Sequence, residues 1–454
     1  MRRTRRALVL AAVAALVAAG CGGAPHARPR EPAPVVVDTD MSSDDVLALL
    51  YLTGRRDVDL RAVAVSGTGL VRCPAGARNA RAVLALAGRP GVPVGCGHAD
   101  PLAGFNSFPP EWRDRADDLF GLRLPAPPAA RPRGAVEVLH AALARAGRPV
   151  TLLSLAPLTD TAQLLRAHPG DRARLAAVVA MGGAVRVPGN IGPGHERAEY
   201  NVWVDPAAAR EVLAGGVPVT LVPLDATNDV PATVFTAGTL RRHRAGAVAR
   251  LAWRVMATTG MQGGGQYFWD PLAATAVVRP GVLRFERLRL AVDAAGRVFE
   301  SPGGHTARVA LGADRPAFEH QLLATLLRGA RFADPPTRAA AALTCDGRRC
   351  AYAGPRRGPA GLVVFDTVNR GDRPLTFVLA RLSEGRTAAD LRRYARGHTE
   401  PPVWAALEAS GQTPPHSRMT WLVRLTPGEK ALLAVAQAPP AVWVVAPVRV
   451  TRAR

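Results

Sequence analysis

Lysine is almost missing from this 454-residue chain: Lys430 is the only one, and arginine carries nearly all the positive charge behind a formal net charge of +22. A nucleic-acid-binding protein is expected to gather its cations on one face or in one run. Here the arginines are scattered, and their company of Ala, Gly and Pro points to a GC-rich coding sequence. No nucleic-acid partner is expected; the charge bears instead on attraction to anionic membrane or wall surfaces. Aromatic residues make up only 5% of the chain, so the place of each Trp matters. The five cysteines form no Cys/His cluster with zinc spacing. No apolar run is long enough for a comfortable transmembrane helix.

What remains is globular: 48% hydrophobic, 21% charged, and long enough for one large domain and a small one. The first 21 residues read as a signal peptide. Arg2, Arg3, Arg5 and Arg6 precede an apolar run, Ala7 to Ala19, and then Gly20 and Cys21. Small residues before a Cys resemble a bacterial lipoprotein cleavage site, although Ala18 stands where a larger aliphatic residue is usual. Lipidation of Cys21 would hold the protein on the outer face of the bacterial membrane. An exported chain favours oxidised cysteines. Cys345 and Cys350 close the short loop CDGRRC and are expected to pair; a Cys73–Cys96 bond is left open.

Residues 22–34 are rich in Pro, Arg and Gly without periodicity, as in a tether. From Val35 strands alternate with helices. Apolar runs at Val35–Val37, Leu60–Val65, Val92–Val94, Val150–Ser154, Leu175–Met181 and Val217–Val222 are separated by helical stretches. The expectation is an α/β fold with an open, mostly parallel sheet over residues 35–335, its ligands at the carboxyl ends of the strands. After about residue 340 the pattern turns to short strands, Gly361–Asn369, Leu375–Leu382, Thr420–Leu425 and Val442–Val450, with one helix at Thr387–Arg396. This predicts a small all-β sandwich over 340–454.

Four carboxylates fall within eight residues in Asp38-Thr39-Asp40-Met41-Ser42-Ser43-Asp44-Asp45, directly after a buried strand and at the mouth of a helix. Crowded carboxylates repel one another, and a hard dication with oxygen ligands resolves the repulsion. The plainer alternative is a capping cluster, since acids also suit a helix N-terminus. The segment VVVDTDMSSDDVLALL resembles the N-terminal signature of the inosine–uridine-preferring nucleoside hydrolase family. LAPLTDTAQLL, VVAMGGAV, GNIGPGHERAEYNVWVDPAAA, VTLVPLDAT and WDPLAA follow in the family's order. The resemblance runs from about Val35 to Asp334, and implies the family's α/β fold and hydrolysis of the N-glycosidic bond of ribonucleosides.

The resemblance further implies a Ca²⁺ held by the carboxylates of Asp40, Asp45 and Asp270 and by the backbone carbonyl of Thr159, an all-oxygen set suited to a hard cation. Asp40 takes the place of the general base that accepts a proton from water. Asp44, Asn190, Glu199 and Asn201 match ribose-binding positions, with Met181 near the sugar. The transition state implied is an oxocarbenium-like ribosyl cation. Family members are often dimers or tetramers, which implies a homo-oligomer unless the added domain blocks that packing.

Two positions depart from the pattern. Many members carry a His before the last calcium-binding Asp to protonate the leaving base; here it is Trp269. Trp269 is then a candidate for stacking on the base, with Trp112 or Phe105 of the loop FNSFPPEW opposite and His195 or Tyr267 as fallback acids. Where the family has Asn after its second strand, this chain has VSGTGLVRC, so Thr68 stands in for a ribose contact. The β-region faintly resembles a cupredoxin-like sandwich but lacks the His/Cys/His/Met copper set, so no copper is expected there and its partner is unknown. Two other classes compete with the hydrolase: a ribose-binding surface protein on the same fold, and a magnesium-dependent phosphohydrolase.

Overall fold

Short β-branched and aliphatic runs build the centre of the protein. The computed structural model describes residues 31–452, apart from 193, 262–265, 338, 397, 399–401 and 437–440. The expected signal peptide, Cys21 and most of the tether lie outside the described residues. Strand β1 (Ala33–Thr39) begins two residues before the break in composition at Val35, and all but its first residue are buried. It is flanked by β2 (Val58–Val65) and β4 (Val150–Ser154), both parallel to it. With β3 (Val94–Cys96), β5 (Leu175–Met181) and β6 (Val219–Val222) these make the parallel part of a nine-stranded sheet, ordered β3-β2-β1-β4-β5-β6 and continued beyond β6 by β9 (His305–Ala313), β7 (Leu283–Val292) and β8 (Val298–Glu300) in that order. Strands buried on both faces read as continuous apolar runs, which is why β1, β4, β5, β6 and the second half of β2 were legible in the sequence, whereas the expected run Val92–Val94 meets β3 only at Val94.

The far edge was not. Strands β7 (Leu283–Val292), β8 (Val298–Glu300) and β9 (His305–Ala313) extend the sheet, with β7 antiparallel to both neighbours. Their one-sided burial and interleaved arginines, as in LRFERLRLAV, weaken the apolar signal. Apolar cores fill both faces of the sheet, one including Val35, Val37, Val63 and Val65 and the other Val36, Ala62 and Ala64. This is the pleat's alternation.

The C-terminal region is a two-sheet sandwich. One sheet has the order β11-β10-β13-β16, built from Cys350–Ala353, Ala341–Cys345, Gly361–Asn369 and Ser417–Leu425. The other is β12-β18-β17-β14-β15, built from Arg357–Pro359, Ala441–Thr451, Gly428–Ala436, Leu375–Leu382 and Ala405–Thr413. The helix there is Ala388–Tyr394, capped by Thr387. Both candidate disulfides are formed, Cys73–Cys96 and Cys345–Cys350. Residues from Ala33 onward form one unit. Val364 of β13 and Leu422 of β16 are buried in the same apolar cluster as the α/β helices, so the change of architecture near residue 340 is not a break in packing. Among the described residues no helix is long and apolar enough to cross a membrane.

Candidate functional site: a carboxylate-floored cavity at the strand ends

The acidic segment leaves the carboxyl end of β1, turns sharply and enters the helix Ser43–Gly54. Met41 makes the turn at φ 56°, a left-handed conformation costly for a side chain of its size. Ser42 caps the helix in a capping box with Asp45: its backbone N–H and its Oγ donate to Asp45 Oδ2 at 3.1 and 2.7 Å. Ser42 Oγ also lies 2.6 Å from Asp44 Oδ1. Asp45 Oδ1 accepts from the Asp40 backbone at 3.2 Å and from the Thr39 hydroxyl. Asp40 accepts from the backbone N–H of Ser42 at 3.1 Å and of Leu70 at 2.8 Å. The loop after β2 comes that close only because residue 69 is glycine; a Cβ there would lie 2.1 Å from the Asp40 Cβ. The capping reading was therefore correct for Asp45, but incomplete.

Asp270, from the first turn of the helix Trp269–Val278, closes on this segment, its backbone N–H 3.4 Å from Asp44 Oδ2. Carboxylate oxygens of Asp44, Asp45 and Asp270 all lie within 4.8 Å of one another, and all three residues are buried. Burial, followed by the neighbouring carboxylates, raises Asp40 and Asp270 well above the usual carboxylate range. Asp44 is pushed up to about 6 for the same reasons. Their hydrogen-bond donors are hydroxyls and backbone amides rather than arginine. Such a group of buried acids is what a dication with oxygen ligands would relieve, so the residues present fit one.

The fourth acid of the motif goes elsewhere. Asp38 lies behind the site, accepting from Ser154 Oγ at 3.3 Å and Thr161 Oγ1 at 3.2 Å. Burial and the neighbouring Asp160 raise it, and burial pushes Asp160 up to about 7.

Above the carboxylates opens a cavity of about 500 Å³, within the usual range for small-molecule sites. Asp40, Asp44, Asp45, Met181, Asn190, Glu199, Asn201, Trp269 and Asp270 all line it, so nine of the sequence-derived site residues meet there. Glu199 is not a solvated charge. It is buried and caps the short helix Tyr200–Val204, accepting from Asn201 and Val202, while the Gly183 N–H donates to it at 2.8 Å. Burial raises its pKa against the pull of those three amides. Asn201 donates through Nδ2 to the carbonyl of Met181 at 3.3 Å, and Asn190 Oδ1 accepts from the Tyr200 N–H at 3.2 Å.

Other expectations need correction. Thr68 does not line the cavity; its hydroxyl is engaged with Ser66 at 2.9 Å and Thr159 at 3.1 Å behind it. The Thr159 side chain donates to Asp205 at 2.8 Å, which leaves the expectation for its backbone carbonyl untouched. Phe105 points into solvent. His195 sits on an exposed loop with its ring 5.5 Å from Trp203, and Tyr267 is buried away from the cavity, so neither fallback acid reaches it. Trp112 does line it, with two residues missed by sequence reasoning, Phe108 and Tyr200. These form one aromatic group: the Phe108 and Tyr200 rings stack at 4.9 Å and Trp112 tilts onto Tyr200 at 5.5 Å. Phe108 was within the loop singled out, and Tyr200 lies between two residues assigned to the ribose. Arg115 also lines the cavity, with its guanidinium over Phe120.

An acid-floored, aromatic-walled cavity at the carboxyl ends of a parallel sheet defines an α/β protein whose cavity is suited in size and lining to a small polar molecule with an apolar end. The family model described as inosine-uridine preferring nucleoside hydrolase matches residues 35–320, more than half of the chain, and the chain belongs to that family. The pyrimidine-specific ribonucleoside hydrolase RihA of Salmonella agona is 35% identical over 196 residues, 43% of this chain and 61% of that protein. The chain thus spans about three fifths of this curated relative's length. The solved inosine-uridine preferring nucleoside hydrolase of Bacillus anthracis covers 65% of this chain over 99% of its own, at TM-score 0.57 and 23% identity. A purine-preferring ribonucleoside hydrolase from Gardnerella vaginalis covers 65% over 98%, at TM-score 0.57 and 24% identity. At these identities the solved structures speak for the fold.

Proposed function

We propose that this protein hydrolyses the N-glycosidic bond of ribonucleosides, releasing free base and ribose, with Ca²⁺ as its cofactor. The observation that carries the reading is the convergence of Asp40, Asp44, Asp45 and Asp270 from two distant segments on the floor of one cavity. Asp40, Asp45, Asp270 and the Thr159 carbonyl would hold the cation. When bound, it supplies Lewis acidity and an anchor for water and the ribose hydroxyls. Asp40 accepts the proton from the attacking water. Asp44, Asn190, Glu199 and Asn201 bind the sugar hydroxyls, and the surrounding carboxylates stabilise positive charge developing on the ring. Among the described residues no histidine lines the cavity; Trp269, Tyr200, Phe108 and Trp112 form an aromatic wall whose stacking on the base raises its proton affinity, and solvent supplies the proton with which the base leaves. Stacking on such faces holds a base without reading its edges.

The test is product release. Full-length protein is incubated with purine and pyrimidine ribonucleosides, with and without chelator, and base and ribose are followed. Base and ribose released in equal amounts, lost on chelation and restored by Ca²⁺, support the reading. No release from any ribonucleoside rejects it. We further propose export and anchoring through a lipid on Cys21; labelling with a radioactive fatty acid that survives Cys21→Ser rejects that.

A further inference from the structure

The segment entering the helix Trp269–Val278 sends three consecutive aromatic side chains to three places. Phe268 is fully buried in the α/β core, its ring 5.6 Å from Phe318. Tyr267, 8% exposed, belongs instead to the core of the β-sandwich, with Ala341, Leu343, Phe365 and Trp421. Trp269 packs against both cores and still lines the cavity. The Tyr267 and Trp269 rings stand 5.5 Å apart. The backbone is tied to the α/β body by the Phe268 N–H to the Val230 carbonyl at 3.0 Å, and by a bridge between Tyr267 and Pro231. From the other side Val364 and Leu422 of the sandwich enter the α/β core.

Trp269 Nε1 is buried with no hydrogen-bond partner. A buried indole usually finds one, and without it the orientation of the ring is set by packing alone. Close-packed interiors transmit small displacements, so the neighbour that holds Trp269 determines the shape of the cavity wall.

We propose that the C-terminal sandwich is a working part of the base-binding wall: Tyr267, locked into the sandwich core, is a positioning residue that sets Trp269 against the leaving base. The proposal rests on the nucleoside reading of the cavity. Phe268, held in the other core, separates this effect from Asp270, so a disturbance through Tyr267 should touch the base and spare the ribose.

The experiment compares full-length wild type, Tyr267→Phe, Tyr267→Ala and, from the sandwich side, Leu343→Ala. KM and kcat are measured on the best ribonucleoside, with the inhibition constant of free ribose and a thermal melt. Tyr267→Ala and Leu343→Ala are expected to raise the nucleoside KM about tenfold, the cost of a small misplacement remote from the chemistry. Ribose inhibition stays within about twofold, and Tyr267→Phe restores wild-type behaviour. An unchanged nucleoside KM in folded Tyr267→Ala overturns the proposal, as does parallel weakening of nucleoside and ribose. A wild-type protein that cleaves no ribonucleoside defeats the functional reading alone. Positioning is then read by amide hydrogen exchange across residues 266–270, which Leu343→Ala must accelerate and Tyr267→Phe must not; no acceleration overturns it.

Discussion

The floor of the cavity and its aromatic wall are built in opposite ways. On the floor, Asp40, Asp44 and Asp45 come from one strand–turn–helix segment, and each is held by nearby hydroxyls or backbone amides. The wall is assembled from Phe108, Trp112, Tyr200 and Trp269, which no single element carries: the first three are joined by ring contacts, and Trp269 is held by Tyr267 and apolar packing. The floor is therefore polar, and three of its four acids are specified locally, the fourth, Asp270, being supplied by a distant helix. The wall depends on how distant parts of the chain are brought together, the added sandwich included. A floor made by repulsion should respond to protons and cations. A wall made by packing should respond to volume.

The largest effect is expected on the floor. Asp40→Asn keeps the shape and removes the base, and should lower kcat on the order of 10³-fold, the usual scale for a general base. Retention of native turnover would remove Asp40 from the mechanism. The next effect is linkage. In the cation-free protein a raised pKa means that the folded state holds more protons than the unfolded one. Stability of that form should fall as pH rises from the ordinary Asp value through the Asp44 value of about 6. Melts between pH 4 and 7 should show that decline, and added Ca²⁺ should abolish it; a cation-free melting temperature that rises over this range contradicts the assignment. Conversely, protons should compete with the cation below about pH 6.

On the wall, Trp269→Ala should cut kcat/KM by roughly 10- to 100-fold, corresponding to about 1–3 kcal/mol of stacking, while leaving calcium affinity measured by calorimetry unchanged. Equal losses of both would mean that wall and floor are not separable. The smallest effect is expected at Thr68→Val. Its hydroxyl bonds Ser66 and Thr159 behind the cavity, so the kinetics on ribonucleosides should stay within about threefold of wild type. A larger, KM-borne loss would restore Thr68 as a ribose contact.

The parallel strands were legible because burial on both faces leaves continuous apolar runs. The edge strands β7 to β9 were not, because a half-exposed strand rich in arginine carries a diluted pattern. The sandwich was recognisable from Gly361–Asn369 and Leu375–Leu382, whose limits in the structure are those read from the sequence. Its strand Ala405–Thr413, sparse in large apolar residues, was missed. Glu199 and Asn201 were found by motif, while Tyr200 between them passed unnoticed because an aromatic there reads equally well as core.

By itself the sequence determined that four carboxylates would crowd the end of the first strand, because strand, turn and helix cap are short-range structures. It left open whether the crowding serves a dication or a helix cap. Only the tertiary structure decided which carboxylates share the cavity. Asp38 is turned to the back of β1 toward Asp160, while Asp270 arrives from more than two hundred residues away. Likewise only the tertiary structure decided that Phe105 is exposed while Phe108 is enclosed, and that Trp269 leans on the sandwich. Hydrogen bonds between neighbours in sequence can be read from spacing; packing between distant surfaces depends on the shape of the whole fold.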